Sequence, residues 1–433
     1  MRLLHTSDWH LGRSLHRADL RDAQAAFLDH LVATVRAERV DAVLVAGDVY
    51  DRALPPLEAV ELCEDVLWRL RDAGARVVLI SGNHDSARRL GFGSRLVDAA
   101  GVHLRTRVAG VAEPVLLDDE HGEVAVYGIP YLEPAAVGPE LAGSAQARGE
   151  EGRPEPGARG HAEVLRAATG LVRADAARRG VARSVVLAHG WVTGGEASDS
   201  ERDISVGGTG AVPAGLFAGF DYVALGHLHR PQTLAPHLRY SGSPLAYSFS
   251  EAGQVKGSWL VELGPEGLTR AEHVPAPPGR RLSRLCGTLD ELLAGPAHAH
   301  AEGDFVAAIL TDAARPAAPM DRLRVRFPHV LTLAWEPAAG TADARDYRAR
   351  VHGRTDLAVA GDFVAHVRGT AASGGEEALL RQAFEAVRAG ADEPEEGVEL
   401  TLFGTVEPLG AAGRSGATGS SQATQSRTPA GVA

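Results

Sequence analysis

Five groups of metal-seeking side chains stand at intervals along the first half of the chain: Asp8-Trp9-His10, Gly47-Asp48-Val49-Tyr50-Asp51, Gly82-Asn83-His84-Asp85, His189, and Gly226-His227-Leu228-His229. Each closes a short apolar run. A D-x-H pair or a G-H-x-H pair by itself is commonly a surface feature, and GD-x-x-D is often only a turn. All of them in one order, each at the end of a strand-like segment, point to a shared site. Imidazole, carboxylate and amide oxygen together suit borderline divalent ions such as Mn²⁺, Fe²⁺ or Zn²⁺ rather than an all-oxygen cage. If two ions sit about 3.5–4 Å apart, as in two-metal hydrolases, one carboxylate must bridge them. Asp48 is the natural bridge, being central in order and followed by a tight turn. Gly47, Gly82 and Gly226 each precede a candidate ligand, where the backbone is expected to turn sharply.

The elements that must position these groups are legible as hydrophobic patterns. Leu3–Leu4, Val43–Ala46 and Val77–Ile80 read as buried strands. A helix is expected over 19–38, with Leu20, Phe27, Leu31 and Val35 on one face, and another after Pro55-Pro56, striped by Val60, Cys63, Leu67 and Leu70. Further strands are expected over 122–132, 184–188 and 222–225, and an Ala-rich helix over about 162–178. Strand–helix–strand alternation predicts an α/β layered fold, and sites in such sheets form beyond the carboxyl ends of strands.

Three further stretches divide the chain. Residues 144–160 have almost nothing apolar and read as a flexible insertion. Pro275-Ala276-Pro277-Pro278-Gly279 reads as a domain boundary, followed by short strands ("FVAAIL", "VLTLAW") and helices that predict a small α+β domain over 281–335. Residues 355–390 read as helical, with Leu379, Leu380, Ala383, Phe384 and Val387 on one side. The remainder, 391–433, is acidic and then Gly/Ser/Thr/Gln-rich, and reads as a disordered tail.

Bulk properties bound the function. The chain has 433 residues and a formal net charge of -12, which excludes a general polyanion coat but not a local phosphate site. Two distant cysteines, Cys63 and Cys286, support neither a disulfide framework nor a Cys-rich zinc site. No signal peptide or membrane span is expected, and a cytoplasmic setting follows.

The ordered set D-x-H, GD-x-x-D, GNHD, H, GHxH resembles the calcineurin-like metallophosphoesterases. The stretches "LLHTSDWHLGRSL", "SGNHDS", "AHGWVTGGEASDSER", "GHLHRPQ" and "RYSGSPLAYSFSE" are similar, more narrowly, to the bacterial SbcD family of nuclease subunits. The likeness extends over roughly residues 1–390. It implies a four-layer β-sandwich flanked by helices as the nuclease domain (1–274), a DNA-capping domain (280–345) and a helical segment (355–390) that docks on a coiled-coil ATPase. It also implies two divalent ions, Mn²⁺ foremost. Asp8, His10, Asp48 and His229 would hold one, and Asp48, Asn83, His189 and His227 the other. His84 would act as an acid near the leaving oxygen, oriented by Asp51.

The activity so implied is ATP-dependent 3′-to-5′ exonuclease action on double-stranded DNA and endonuclease action on single strands and hairpins, in repair, recombination and replication. The setting would be the nucleoid. A homodimer within a heterotetramer is the implied assembly. ATP would be handled by the partner, since no G-x-x-x-x-G-K-[ST] loop occurs here.

Features outside the metal motifs bear on substrate without deciding it. Arg13, Arg17 and Arg21 follow the first motif, and Arg88 and Arg89 the third. They could line a DNA-backbone groove or lie on solvated faces. Arg322, Arg324 and Arg326 alternate, so on a strand they would share a face that could press on DNA, or they form a surface charge ladder. The 379–387 stripe suits a partner helix or its own domain. A stand-alone metallophosphatase or small-molecule phosphodiesterase is the competing reading, because the metal core alone serves both ester types.

Overall fold

In the computed structural model, the residues described are 1–137, 140–141, 160–204, 210–337 and 354–391. The expected insertion up to residue 159, and the tail from residue 392, lie outside them. The chain divides into two compact units, Met1–Thr341 and Ala342–Ala433.

The first unit opens with β1 (Arg2–Thr6), a hairpin of β2 (Ser14–Leu15) and β3 (Ala18–Asp19), helix α1 (Arg21–Glu38) and β4 (Ala42–Ala46). Next come α2 (Leu57–Asp72), β5 (Arg76–Ile80), short helices α3 (Ala87–Leu90) and α4 (Ser94–Asp98), and strands β6 (Val102–Arg105), β7 (Val115–Asp119) and β8 (Gly122–Ile129). After α5 (His161–Arg179) follow β9 (Arg183–His189), β10 (Tyr222–Gly226), β11 (Gln232–Ala235), β12 (Leu238–Tyr240), β13 (Gly257–Gly264) and β14 (Gly267–Pro275).

These strands build two six-stranded sheets, ordered β14-β13-β1-β4-β5-β6 and β11-β12-β10-β9-β8-β7. Leu3, Leu44, Ile80, Val126, Leu187 and Ala224 come from both sheets and form one buried cluster between them. On the outer side of the first sheet, Phe27, Leu31 and Val35 of α1 join Cys63, Val66 and Leu70 of α2 in a second cluster. Val164, Leu165 and Val172 of α5 cover the second sheet. The result is a mixed α/β fold, as the alternation predicts, in the four layers that the resemblance implies. Burying each large apolar side chain on those faces contributes ~1.5–3 kcal/mol, so the layers outweigh modest strain at the strand ends.

Strand register positions the site. β1, β4 and β5 run parallel, with Thr6 opposite Val45 and Ala46 opposite Ile80. In the second sheet β9 and β10 run parallel, with Gly226 opposite His189. The five motif-bearing strands therefore finish at a common edge.

A third sheet, β15 (Leu282–Gly287), β16 (Phe305–Leu310) and β17 (Val330–Trp335), follows the proline cluster. Its strands are all parallel and are connected through α6 (Leu289–Ala294) and α7 (Pro319–Arg326). A capping box at Thr288 and Glu291 starts α6.

One expectation here is overturned. Arg322, Arg324 and Arg326 lie on α7, not on a strand, so they share no strand face. Pro319 at the first turn and the i,i+4 pair Leu323 and Phe327, both fully buried, favour helix. Arg322 pairs with Asp290, Arg324 with Asp321, and Arg326 with Glu302.

The second unit contributes α8 (Asp356–Arg368) and α9 (Gly374–Ala391). Thr355 caps α8, which ends at left-handed Gly369 (φ 76°), and Arg368 pairs with Glu376 across the turn. Phe363, Val367, Leu379 and Val387 are exposed on these helices. No helix among the described residues is long and apolar enough to cross a membrane.

Candidate metal centre

The loops that leave β1 and β4 are laced together. Asp8 N–H donates to Gly47 O, and His10 N–H to Asp48 O, each at 2.9 Å. Asp8, His10 and Asp48 all take left-handed backbone conformations, with φ of 52°, 45° and 49°. Such conformations cost about 1 kcal/mol or more each outside glycine. The cross-loop bonds hold them, and they aim three candidate ligands into one space.

The glycines act for two different reasons. Gly47 has φ of 93° and makes the expected turn. Gly82 and Gly226 do not have positive φ; they are needed because other atoms come close. A Cβ at Gly82 would lie 2.2 Å from Asp48 Oδ1, and one at Gly226 would lie 2.0 Å from Ala46 O. Gly226→Ala should therefore destabilise the fold by about 1–3 kcal/mol and disturb His189, whose Nδ1 stands 3.0 Å from that Cβ position. Urea unfolding of the purified variant checks this. Unchanged stability would mean that the strand ends yield freely.

The seven candidate ligands converge. Ligand atoms of Asp8, His10 and His229 lie within 4.8 Å of one another, as do those of Asp8, Asp48 and His189, and those of His10, Asp48 and His84. Asp48 Oδ2 stands 3.6 Å from His10 Nε2 and 3.5 Å from His189 Nε2, between the two histidines as a bridging carboxylate would. Asn83 Oδ1 faces both His189 Nε2 (2.9 Å) and His227 Nδ1 (3.2 Å). Asp8 stands in two of the carboxylate–histidine groups, so two carboxylates, not Asp48 alone, occupy central positions.

Hydrogen-bond partners fix which ring nitrogen of some of these histidines faces the site. His189 Nδ1 donates to Ala46 O at 2.9 Å, so its Nε2 is bare unless the ring is protonated, and it looks at Asn83 Oδ1. Ser200 Oγ donates to Glu251, so His229 Nδ1 must donate to Ser200 Oγ and leaves Nε2 bare. That nitrogen stands 3.1 Å from His10 Nε2. His10 Nδ1 and Asn83 Nδ2 are buried with no hydrogen-bond partner. Imidazole nitrogens, carboxylate oxygens and an amide oxygen brought this close need protons or a cation among them, and that donor set suits a borderline divalent ion. The residues present therefore fit divalent ions.

Electrostatics run the same way. Burial would raise the Asp48 carboxyl, but the charges of His189 and His10 outweigh it and hold it well below the usual carboxylate range. Burial pushes Asp8 up to about 6 against the pull of His189 and His229. Burial holds His10 well below its usual value and takes His227 down to about 3. For His189, burial is outweighed by Asp48, and its pKa rises to about 9. Neutral imidazoles beside ionised carboxylate are what a metal requires, and a protonated His189 places positive charge where a cation would sit.

His84, like Asn83, is partly open to solvent, whereas histidines 10, 189, 227 and 229 are buried. The Nδ1 of His84 donates to the main-chain oxygen of Asp51 at 2.7 Å, which leaves Nε2 free. Asp51 thus meets His84 as expected, through its backbone oxygen. The Asp51 carboxylate instead stands 3.8 Å from His10 Nδ1 and 3.7 Å from Arg13 Nε.

The arginines separate. Arg13 is largely enclosed, donating to Ser200 O at 2.7 Å and lying over the Tyr247 ring. It braces the site rather than standing free in a groove. Arg17, Arg88 and Arg89 are exposed, and Arg89 donates to Ala53 O.

Sequence reasoning missed several supports. Asp85 accepts N–H bonds from Val49, Tyr50 and Gly82, and so ties the second motif to the third. Its place in GNHD was the available signal. Buried Gln24 donates to His10 O at 2.8 Å and to Tyr247 Oη at 3.1 Å. Nothing in its helical position on α1 marked it.

Residues 1–231, more than half of the chain, match the calcineurin-like phosphoesterase family. The chain belongs to that family. Calcineurin-like phosphoesterases use a dinuclear metal site and hydrolyse phosphoesters, which accords with the paired ligand groups around Asp48. Among solved structures, the chain is similar to TT1561 of Thermus thermophilus (15% identity, 63% of this chain and 98% of that one, TM-score 0.35). It is also similar to a dimetal phosphatase from Danio rerio (13%, 64% and 99%, TM-score 0.35) and to an archaeal phosphodiesterase (10%, 63% and 100%, TM-score 0.27). Likeness at these values does not transfer either enzyme's substrate to this member of the family.

Proposed function

We propose that this calcineurin-like phosphoesterase is the nuclease subunit of an SbcC–SbcD-type complex, cleaving phosphodiester bonds in DNA. The observation that carries the hydrolytic part is the convergence of aspartate and histidine ligand atoms around Asp8 and Asp48, with the free Nε2 of His84 beside them. Asp8, His10, Asp48 and His229 would hold one ion, and Asp48, Asn83, His189 and His227 the other, with Mn²⁺ as the expected metal. When bound, such ions supply charge neutralisation at the phosphate and activation of the attacking water. His84 Nε2 would hold the proton delivered to the departing sugar oxygen, with the Asp51 carbonyl fixing the ring. Asp85 and Gln24 keep the ligand loops in place.

Support for the nuclease assignment lies outside the metal site. The third sheet beyond Pro275–Gly279 is a separate element that a minimal phosphoesterase does not need, and we assign it to DNA capping. Arg17, Arg88 and Arg89 remain exposed for phosphate contact. The apolar residues exposed on α8 and α9 suit docking on a coiled-coil ATPase. Leu57 and Val60 on α2, with Phe92 and Leu96 near α3 and α4, are likewise exposed and suit a homodimer.

The decisive assay incubates the purified full chain and Mn²⁺ with hairpin DNA, a bis-aryl phosphate and an aryl phosphomonoester, with and without the ATPase partner. Diester cleavage, with ATP-dependent duplex degradation only when the partner is present, is expected. Hydrolysis confined to the monoester would establish the stand-alone phosphatase instead.

A further inference from the structure

The ring of His229 does not end at the metal centre; it opens a buried polar chain. His229 Nδ1 meets Ser200 Oγ at 2.5 Å, and the same hydroxyl donates to Glu251 Oε1 at 2.5 Å. Glu251 Oε2 accepts from Lys256 Nζ at 2.5 Å. The Lys256 ammonium also donates to His229 O (2.8 Å) and Ser243 Oγ (3.0 Å). Glu251 is fully buried and the Lys256 side chain is 9% exposed. The same turn grips His229 a second time, since Glu201 Oε1 accepts its backbone N–H at 2.7 Å. No comparable side chain stands behind His189 or His227 among the described residues: His189 leans on the backbone oxygen of Ala46, and His227 faces Asn83.

We infer that Ser200, Glu251 and Lys256 are positioning residues that fix His229 as an Nδ1–H tautomer and thereby set the ion affinity of the Asp8–His10–His229 half of the centre, leaving the Asn83–His189–His227 half unaffected. The inference rests on the dinuclear reading of the site. The physical reason is specific. Ser200 can accept from His229 only because its own proton is committed to a carboxylate that has no proton to give. Lys256 keeps Glu251 in that ionised, acceptor-only state. A histidine ligand whose far nitrogen donates into an anionic chain is more basic at the metal-facing nitrogen and cannot rotate away.

The test is calorimetric titration of Mn²⁺ into the chelator-stripped full chain, for wild type and for Ser200→Ala, Ser200→Thr and Glu251→Gln. Ser200→Ala keeps the buried Glu251–Lys256 pair and removes only the link, so the fold should survive; urea midpoints of the metal-free proteins monitor this. Two binding events are expected in wild type. In Ser200→Ala and Glu251→Gln one of them should weaken by about 10–100-fold, the usual cost of losing an outer-shell partner, with the other unchanged. Ser200→Thr, which retains the hydroxyl, should restore the lost affinity. Two wild-type-like events in Ser200→Ala would overturn the positioning role alone, as would equal weakening of both. Fewer than two events in wild type would overturn the dinuclear reading and this inference with it.

Discussion

Asp48→Asn is expected to strip both ions from the protein and to cut phosphoester hydrolysis by about 10³-fold or more. The size follows from what is lost: Lewis-acid stabilisation amounts to several kcal/mol, and each ~1.4 kcal/mol is a tenfold change in rate. The geometry explains why one substitution reaches both ions. A single oxygen, Asp48 Oδ2, stands between His10 Nε2 and His189 Nε2, so an amide nitrogen there would place donor protons where a metal needs a lone pair. The fold should persist, because Asn retains Oδ1 to accept the His84 N–H bond of 2.8 Å. Metal content after dialysis, beside urea unfolding, checks both halves. Retention of two ions by a folded Asp48→Asn protein would show that Asp8, which also stands between the groups, is the true bridge.

On the proposed nuclease reading, His84→Ala should lower turnover on DNA by about 10²–10⁴-fold, the range of a positioned acid, while both ions still bind. Its Nδ1 is held by the Asp51 carbonyl and its ring is partly open, so truncation removes no carboxylate and leaves no buried charge unpaired. Chemistry offers a sharper check than the rate alone. A bis-aryl phosphate releases an aryloxide that departs without help from a proton. The loss on that substrate should therefore be much smaller than on DNA, whose sugar alkoxide needs one. Equal losses on the two substrates, or loss of metal, would remove His84 from the acid role. In that event its ring nitrogen, close to His10 and Asp48, would be better read as a ligand.

These expectations differ in origin. The candidate metal-binding residues were legible as a set because metal chemistry restricts residue type and because each group stands where an apolar run stops; the division into seven candidate ligands and His84 as the acid came from the family resemblance. Periodicity then placed the runs as strands, and α/β alternation placed their ends on one edge. The family match over residues 1–231 is consistent with that reading. The helices 21–38, 57–72 and 161–179 were also accessible, since their apolar faces repeat at helical spacing.

Other features could not be read from local pattern. Gly82 and Gly226 are required by the approach of Asp48 Oδ1 and Ala46 O, atoms brought from another strand, and spacing carries no information about such contacts. The Arg322–Arg326 segment looked alternating, yet burial of Leu323 and Phe327 against the third sheet made it a helix. The chain from His229 through Ser200 to Glu251 and Lys256 joins residues that no motif connects. By itself the sequence determined which side chains could hold metal and in what order strands deliver them, because ligand chemistry and hydrophobic period are local properties. Only the tertiary structure decided which ring nitrogen of His84, His189 and His229 donates away from the site, which oxygen of Asp51 faces His84, and what stands behind His229, because tautomer and orientation are set by partners distant in the chain.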